Sequence, residues 1–106
     1  MKLLQSSNAT GLSIYAIAKQ KWEALYFDAG AVTPAFVAEP TSPYITFTED
    51  AVIKGFYQAS IATSWADGRY IIAVYKQSGA NPSPVADGEP DLCEVDVKSN
   101  FMYVMK

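Results

Sequence analysis

Trp65-Ala66-Asp67-Gly68-Arg69-Tyr70-Ile71-Ile72-Ala73-Val74-Tyr75 decides the fold class of this chain. Asp-Gly is a turn signal, because Asp bonds its own backbone and Gly tolerates positive φ. The turn delivers the backbone into a run of strand formers, Tyr70 to Tyr75, apolar on both faces. A strand with two apolar faces has to be covered on both sides, which predicts a central strand of a packed sheet. The expectation is a compact all-β protein.

Outward from that strand, the same reasoning finds others. Leu12 to Ala18 and Trp22 to Phe27 read as strands, stopped by Lys19-Gln20-Lys21 and Asp28-Ala29-Gly30. The stretch from Thr33 to Ala38 is an edge piece, because Pro34 cannot donate to a ladder. In Tyr44 to Thr48, Ile45 and Phe47 face one way and Thr46 and Thr48 the other. Glu49 to Lys54 reads as a short turn before Gly55. Phe56 to Ala62 puts Tyr57, Ala59 and Ile61 on one face. Ala80 to Pro90 is a proline-rich loop, and so is Glu39-Pro40-Thr41-Ser42-Pro43. Leu92 to Lys98 alternates cleanly, with Cys93, Val95 and Val97 inward and Glu94, Asp96 and Lys98 outward. Phe101 to Met105 reads as a last strand or an attachment segment. About seven short strands at this spacing predict a single antiparallel β-sandwich spanning residues 1–106, immunoglobulin-like. Residues 1–10 and 99–106 are expected to be attachment or oligomerisation arms.

Composition bounds the function. The chain has 106 residues, half of them apolar, enough for one core without metals or disulfides. Its formal net charge is −3 with Lys and Arg scattered, which argues against nucleic-acid and anionic-membrane partners. The N-terminus has a two-residue apolar run, where a signal peptide needs roughly seven. No segment approaches the ~18 apolar residues of a membrane helix. Asn8-Ala9-Thr10 matches the glycosylation pattern and is discounted without a secretory leader.

The chain contains one cysteine, Cys93, and no histidine. Zinc ligation and the Ser-His-Asp and Cys-His nucleophile arrangements therefore have no residues to work with. Cys93 is expected to be a small core side chain. Glu49 and Asp50 are adjacent in an extended segment, so they point to opposite faces and cannot flank one bond. The chain is expected to be non-enzymatic and without a cofactor. One weak metal candidate stands out: Asp87, Glu89 and Asp91 in an oxygen-rich loop suited to calcium, with a solvated acidic loop as the alternative. Seven Tyr, five Phe and two Trp offer contact residues as well as core. Trp65 is expected at an end of the sandwich, and Trp22 and Trp65 are the candidate binding residues.

Asp67-Gly68-Arg69-Tyr70-x-Ile72 has the layout of a tyrosine corner, in which a Tyr near a strand start returns its hydroxyl to the backbone just upstream. Ile72 stands where antibody domains place a cysteine. An ordinary Asp-Gly hairpin turn would leave the same signature.

Gly55-Phe56-Tyr57-Gln58-Ala59-Ser60, Trp65 to Tyr70, and Val74-Tyr75-Lys76-Gln77-Ser78-Gly79 with Pro82, Pro84 and Asp87 together resemble a known layout. It is that of small immunoglobulin-like β-sandwich structural proteins of tailed bacteriophages and prophages. The resemblance spans most of residues 12–98, with Tyr57, Tyr70 and Tyr75 on the family's aromatic positions. It departs at Asp96-Val97-Lys98-Ser99-Asn100, where an acidic or aromatic ending is usual. What it implies is a tail, baseplate or head-associated protein, made in the bacterial cytoplasm and incorporated in the virion. Such a protein binds other virion proteins or itself, and brings no catalytic residues. A carbohydrate- or receptor-binding module is the alternative.

Overall fold

The computed structural model describes residues 2–6 and 9–105, so Asn8 of the glycosylation pattern lies outside the described residues. Ten strands and no helix are found among them: β1 (Lys2–Ser6), β2 (Ile14–Gln20), β3 (Tyr26–Phe27), β4 (Phe36–Val37), β5 (Ile45–Thr46), β6 (Thr48–Glu49), β7 (Phe56–Ser60), β8 (Gly68–Lys76), β9 (Asp91–Lys98) and β10 (Phe101–Met105). All pairings are antiparallel. A seven-stranded sheet runs β10-β9-β8-β2-β3-β4, with β5 also on β2, and a three-stranded sheet runs β1-β7-β6. The all-β antiparallel expectation is met, with ten strands where about seven were expected.

The chain passes between the two sheets at β1–β2, β5–β6 and β7–β8, and the β5–β6 passage is the shortest. β5 pairs with β2, Phe47 donates its N–H to Ile14 O at 2.9 Å, and β6 then pairs with β7 in the other sheet. Ile45 and Phe47 are both buried while Thr46 and Thr48 are exposed, as their alternation requires.

The alternation elsewhere builds one core. Tyr57, Ala59 and Ile61 meet Ala16, Ala18, Ile72, Val95 and Val97 from the opposite sheet. Ile72 is 2% exposed and paired laterally with Ala18 and Cys93, so aliphatic volume occupies the inter-sheet space. Cys93 packs half-buried against that core as a free thiol.

Three expectations change. First, Lys2–Ser6 is incorporated as β1, paired along its length with β7, and Leu3 is buried in the core. Second, residues 21–24 are a turn, closed by Glu23 N–H to Gln20 O and Gln20 N–H to Leu25 O, so the strand expected from Trp22 shrinks to Tyr26–Phe27. Third, β8 is central in its sheet, yet only one of its faces is covered by the second sheet. Tyr70 and Ile72 are buried there, while Ile71, Ala73 and Tyr75 on the other face are only half-buried.

β9 and β10 are joined by Ser99 and Asn100, both at positive φ (51° and 63°). A two-residue connection with both residues left-handed matches the twist of the flanking strands, so Phe101 pairs opposite Lys98.

Candidate functional site

The Asp-Gly segment is a sheet-to-sheet corner and not a hairpin turn, because β7 and β8 lie in different sheets. Gly68 has φ +151° and opens β8 with nothing within 4 Å of where a Cβ would stand. A side chain there is disfavoured by backbone conformation and not by crowding. Two residues on, the Tyr70 hydroxyl donates to Ala66 O at 2.6 Å. This is the bond of a tyrosine corner. Burial, then the Asp67 charge, raises the Tyr70 pKa.

Around Tyr70 stand Trp65, Phe36 and Phe27, with ring centroids 4.9–5.3 Å apart. Tilted and edge-on contacts of this kind add to plain area burial. Trp65 is 4% exposed, so this indole is a core residue and presents no surface to a ligand. Its place before a turn predicts a rim position, but the corner folds its ring inward onto Phe27 and Phe36.

Trp22 is the opposite case, at 76% exposure. The Lys21 ammonium sits 4.7 Å over its ring. A shallow groove of about 200 Å³ runs beside it, lined by Gln20, Lys21, Glu23, Asp67 and Arg69 among others. Lys21 also pairs with Glu94 Oε1 at 2.9 Å, and Arg69 reaches Glu94 Oε2 at 3.5 Å. The Asp67 carboxylate accepts from Ser99 N–H at 2.9 Å, tying the corner to the β9–β10 connection.

The acidic loop does not assemble a cation site. Asp87 accepts the Tyr15 hydroxyl at 2.6 Å, Ser78 Oγ at 2.7 Å, Ser78 N–H at 2.9 Å and Ser83 N–H at 3.0 Å. Its oxygens are spent on closing residues 78–87 against β2. These donors, Tyr15 first, hold the Asp87 carboxyl far below its ordinary range. Burial, then Asp87, pushes the Tyr15 phenol far up. Among the described residues no group of three or more His, Cys, Asp or Glu could hold a metal, so Asp87, Glu89 and Asp91 are not brought together as ligands. The signal for a clasp was in the sequence: an Asp four residues after Ser83 and nine after Ser78.

Three more carboxylates do similar work. Asp28 accepts from Thr41 N–H, Thr41 Oγ1 and Ser42 N–H. Glu49 accepts from Gly11 and Gly55 N–H, and Asp50 from Val52 and Ile53 N–H. Backbone donors lower the pKa of all three.

The remaining candidate surface is the outer face of the seven-stranded sheet. Register sets Ile17, Ala73 and Leu92 in one row across β2, β8 and β9, with Lys19, Ile71 and Glu94 in the next. Tyr15 and Tyr75 stack beside the first row at 5.1 Å. Leu92 is 70% exposed and Phe101, opposite Lys98 on the same face, is 66% exposed. The Lys21–Glu94–Arg69 ion pairs lie on this face between the Ile17–Ala73–Leu92 row and Phe101. Comparison with protein-family models, with curated proteins and with solved structures finds no match.

Proposed function

We propose that the protein is a non-enzymatic assembly module that works by protein–protein contact, as a structural component of a phage virion. The observation that carries the contact role is the outer sheet face. β8 is apolar on both sides, and the chain's own second sheet covers only one of them. Exposed apolar side chains with ion pairs between them, on a face that the second sheet leaves uncovered, suit a protein contact. The occupant we propose is a neighbouring virion protein with a flat apolar surface. The virion setting rests on the sequence resemblance through Gly55–Ser60, Trp65–Tyr70 and Val74–Gly79.

Leu92→Asp tests the reading, since Leu92 is exposed and its replacement leaves the core intact. Quantitative mass spectrometry of particles purified from the producing strain should find the native chain and should find the variant depleted at least tenfold. Absence of the native chain from particles removes the virion setting. Equal incorporation of both chains removes the outer face as the contact.

A second reading, a carbohydrate- or receptor-binding module, draws on Trp22 and its groove. An exposed indole beside polar side chains is a platform for a ligand with one apolar face. A titration of host-surface glycans should quench tryptophan fluorescence to saturation and lose the effect in Trp22→Phe; a flat signal with every glycan removes this reading.

A further inference from the structure

We propose that a second copy of this chain pairs with the outer edge of β10, antiparallel and about a two-fold axis, joining two seven-stranded sheets into one. This concerns an edge and not the outer face, and it stands whether or not that face has the partner proposed above.

β10 ends the strand order of the main sheet, so one side of its backbone has no strand partner among the described residues. Unpaired N–H and C=O groups in a row are a template for another strand, and proteins protect such edges with charge, proline or very short strands. The other edges follow that rule. β4 and β6 are two residues each, and β1 opens with Lys2. β10 does not: Phe101-Met102-Tyr103-Val104-Met105 is five strand residues with no charge, no Pro and no Gly. Its neighbour β9 pairs with it along all five residues.

The edge favours its own copy as occupant. Antiparallel pairing of one strand with itself is self-complementary, which is what a two-fold interface demands. A register centred on Tyr103 sets Phe101 against Met105, Met102 against Val104 and Tyr103 against Tyr103. No like charges meet anywhere along it, the condition that cross-strand pairing requires. The axis is perpendicular to the sheet, so the outer faces of both copies, each with its exposed Leu92 and Phe101, lie on one side. A five-residue edge is small against the ~1,200 Å² of a standard interface, so the dimer is expected to be weak and concentration-dependent.

Analytical ultracentrifugation over micromolar to millimolar concentrations should show reversible growth towards twice the 11.5 kDa chain mass. Tyr103→Lys should weaken that association at least tenfold. Register is tested separately in a Cys93→Ser background, where Tyr103→Cys should give a covalent dimer on mild oxidation because directly opposed residues lie within disulfide reach. Lys98→Cys, one strand further in, should not. A monomer at millimolar concentration overturns the proposal, as does a dimer that fails to cross-link through position 103, or cross-linking equally efficient at 98. The cross-linking arm decides the matter even if Tyr103→Lys does not fold.

Discussion

Two buried tyrosine hydroxyls close the two ends of the main sheet, with bonds of the same length and different character. At one end Tyr70 donates to Ala66 O at 2.6 Å, a neutral carbonyl four residues upstream. At the other Tyr15 donates to Asp87 Oδ2 at 2.6 Å, a carboxylate seventy-two residues away in sequence. The first sits among Trp65 and Phe36 on the inner face. The second lies on the outer face between Tyr75, stacked at 5.1 Å, and Tyr44, edge-on at 5.4 Å. The Tyr70 end is held by packing with a local bond added to it. The Tyr15 end is held by a charge-assisted bond, and its carboxylate also closes a loop. Equal geometry therefore gives unequal dependence on core volume and on pH.

Removing the aromatic packing should have the largest effect. Trp65→Ala should cost about 3–5 kcal/mol in a denaturant melt, the usual range for a buried large aromatic. A loss below about 1 kcal/mol would show that the Phe27, Phe36 and Tyr70 rings do not depend on the indole.

Acid should act next, and at the Tyr15 end. Asp87, Asp28, Glu49 and Asp50 all have folded pKa values below their unfolded ones. The native state then binds fewer protons, so their contribution is present above an unfolded pKa of ~4 and is lost as pH falls towards the folded values. Thermal midpoints should drop steadily below pH ~4. Asp87→Asn should start lower at neutral pH and fall less steeply. Parallel acid limbs for the two proteins would break the contrast between the ends.

The hydroxyl deletions should be smaller. Tyr15→Phe should cost about 1–2 kcal/mol, because it removes a bond to a charged acceptor that keeps Ser78 and Ser83 as donors. Tyr70→Phe should cost about 0.5–1.5 kcal/mol, a neutral bond's contribution. Both phenols have raised pKa values, so stability is full below an unfolded pKa of ~10 and is lost as pH rises beyond it. Each deletion should flatten that alkaline fall in pH-dependent melts, Tyr15→Phe more than Tyr70→Phe. The reverse order would invert the comparison. Trp22→Ala should change stability by less than about 0.5 kcal/mol, as for an exposed side chain away from packing. It should also remove the fluorescence component most accessible to acrylamide, leaving that of Trp65.

The Tyr70 end was legible because its parts are contiguous. Asp67, Gly68 and Tyr70 carry the corner within four residues, and Ile72 follows on the same face. The inward positions of β7 and β9 were legible for the same reason. β1 was not: Leu3-Leu4 breaks alternation, and the strand is specified by pairing with β7, fifty or more residues away. The fate of the two tryptophans was equally hidden. Each stands beside a turn, and only the direction in which the chain leaves that turn buries Trp65 and exposes Trp22. Among the acidic residues, clustering of Asp87, Glu89 and Asp91 in sequence suggested shared ligation, whereas Asp87 faces the Tyr15 hydroxyl across the loop.

Sequence alone determined that this chain is all-β, which side of β7 and of β9 faces inward, and where the chain turns ahead of Tyr70. Those properties follow from a side-chain period of two and from turn chemistry, both set by near neighbours. Tertiary structure alone decided that β8 is covered on one face, that Asp87 closes a loop with Tyr15, and that β10 is left as an open edge. Such outcomes depend on which distant segments pair, and pairing is fixed by the register and burial of the whole sheet at once.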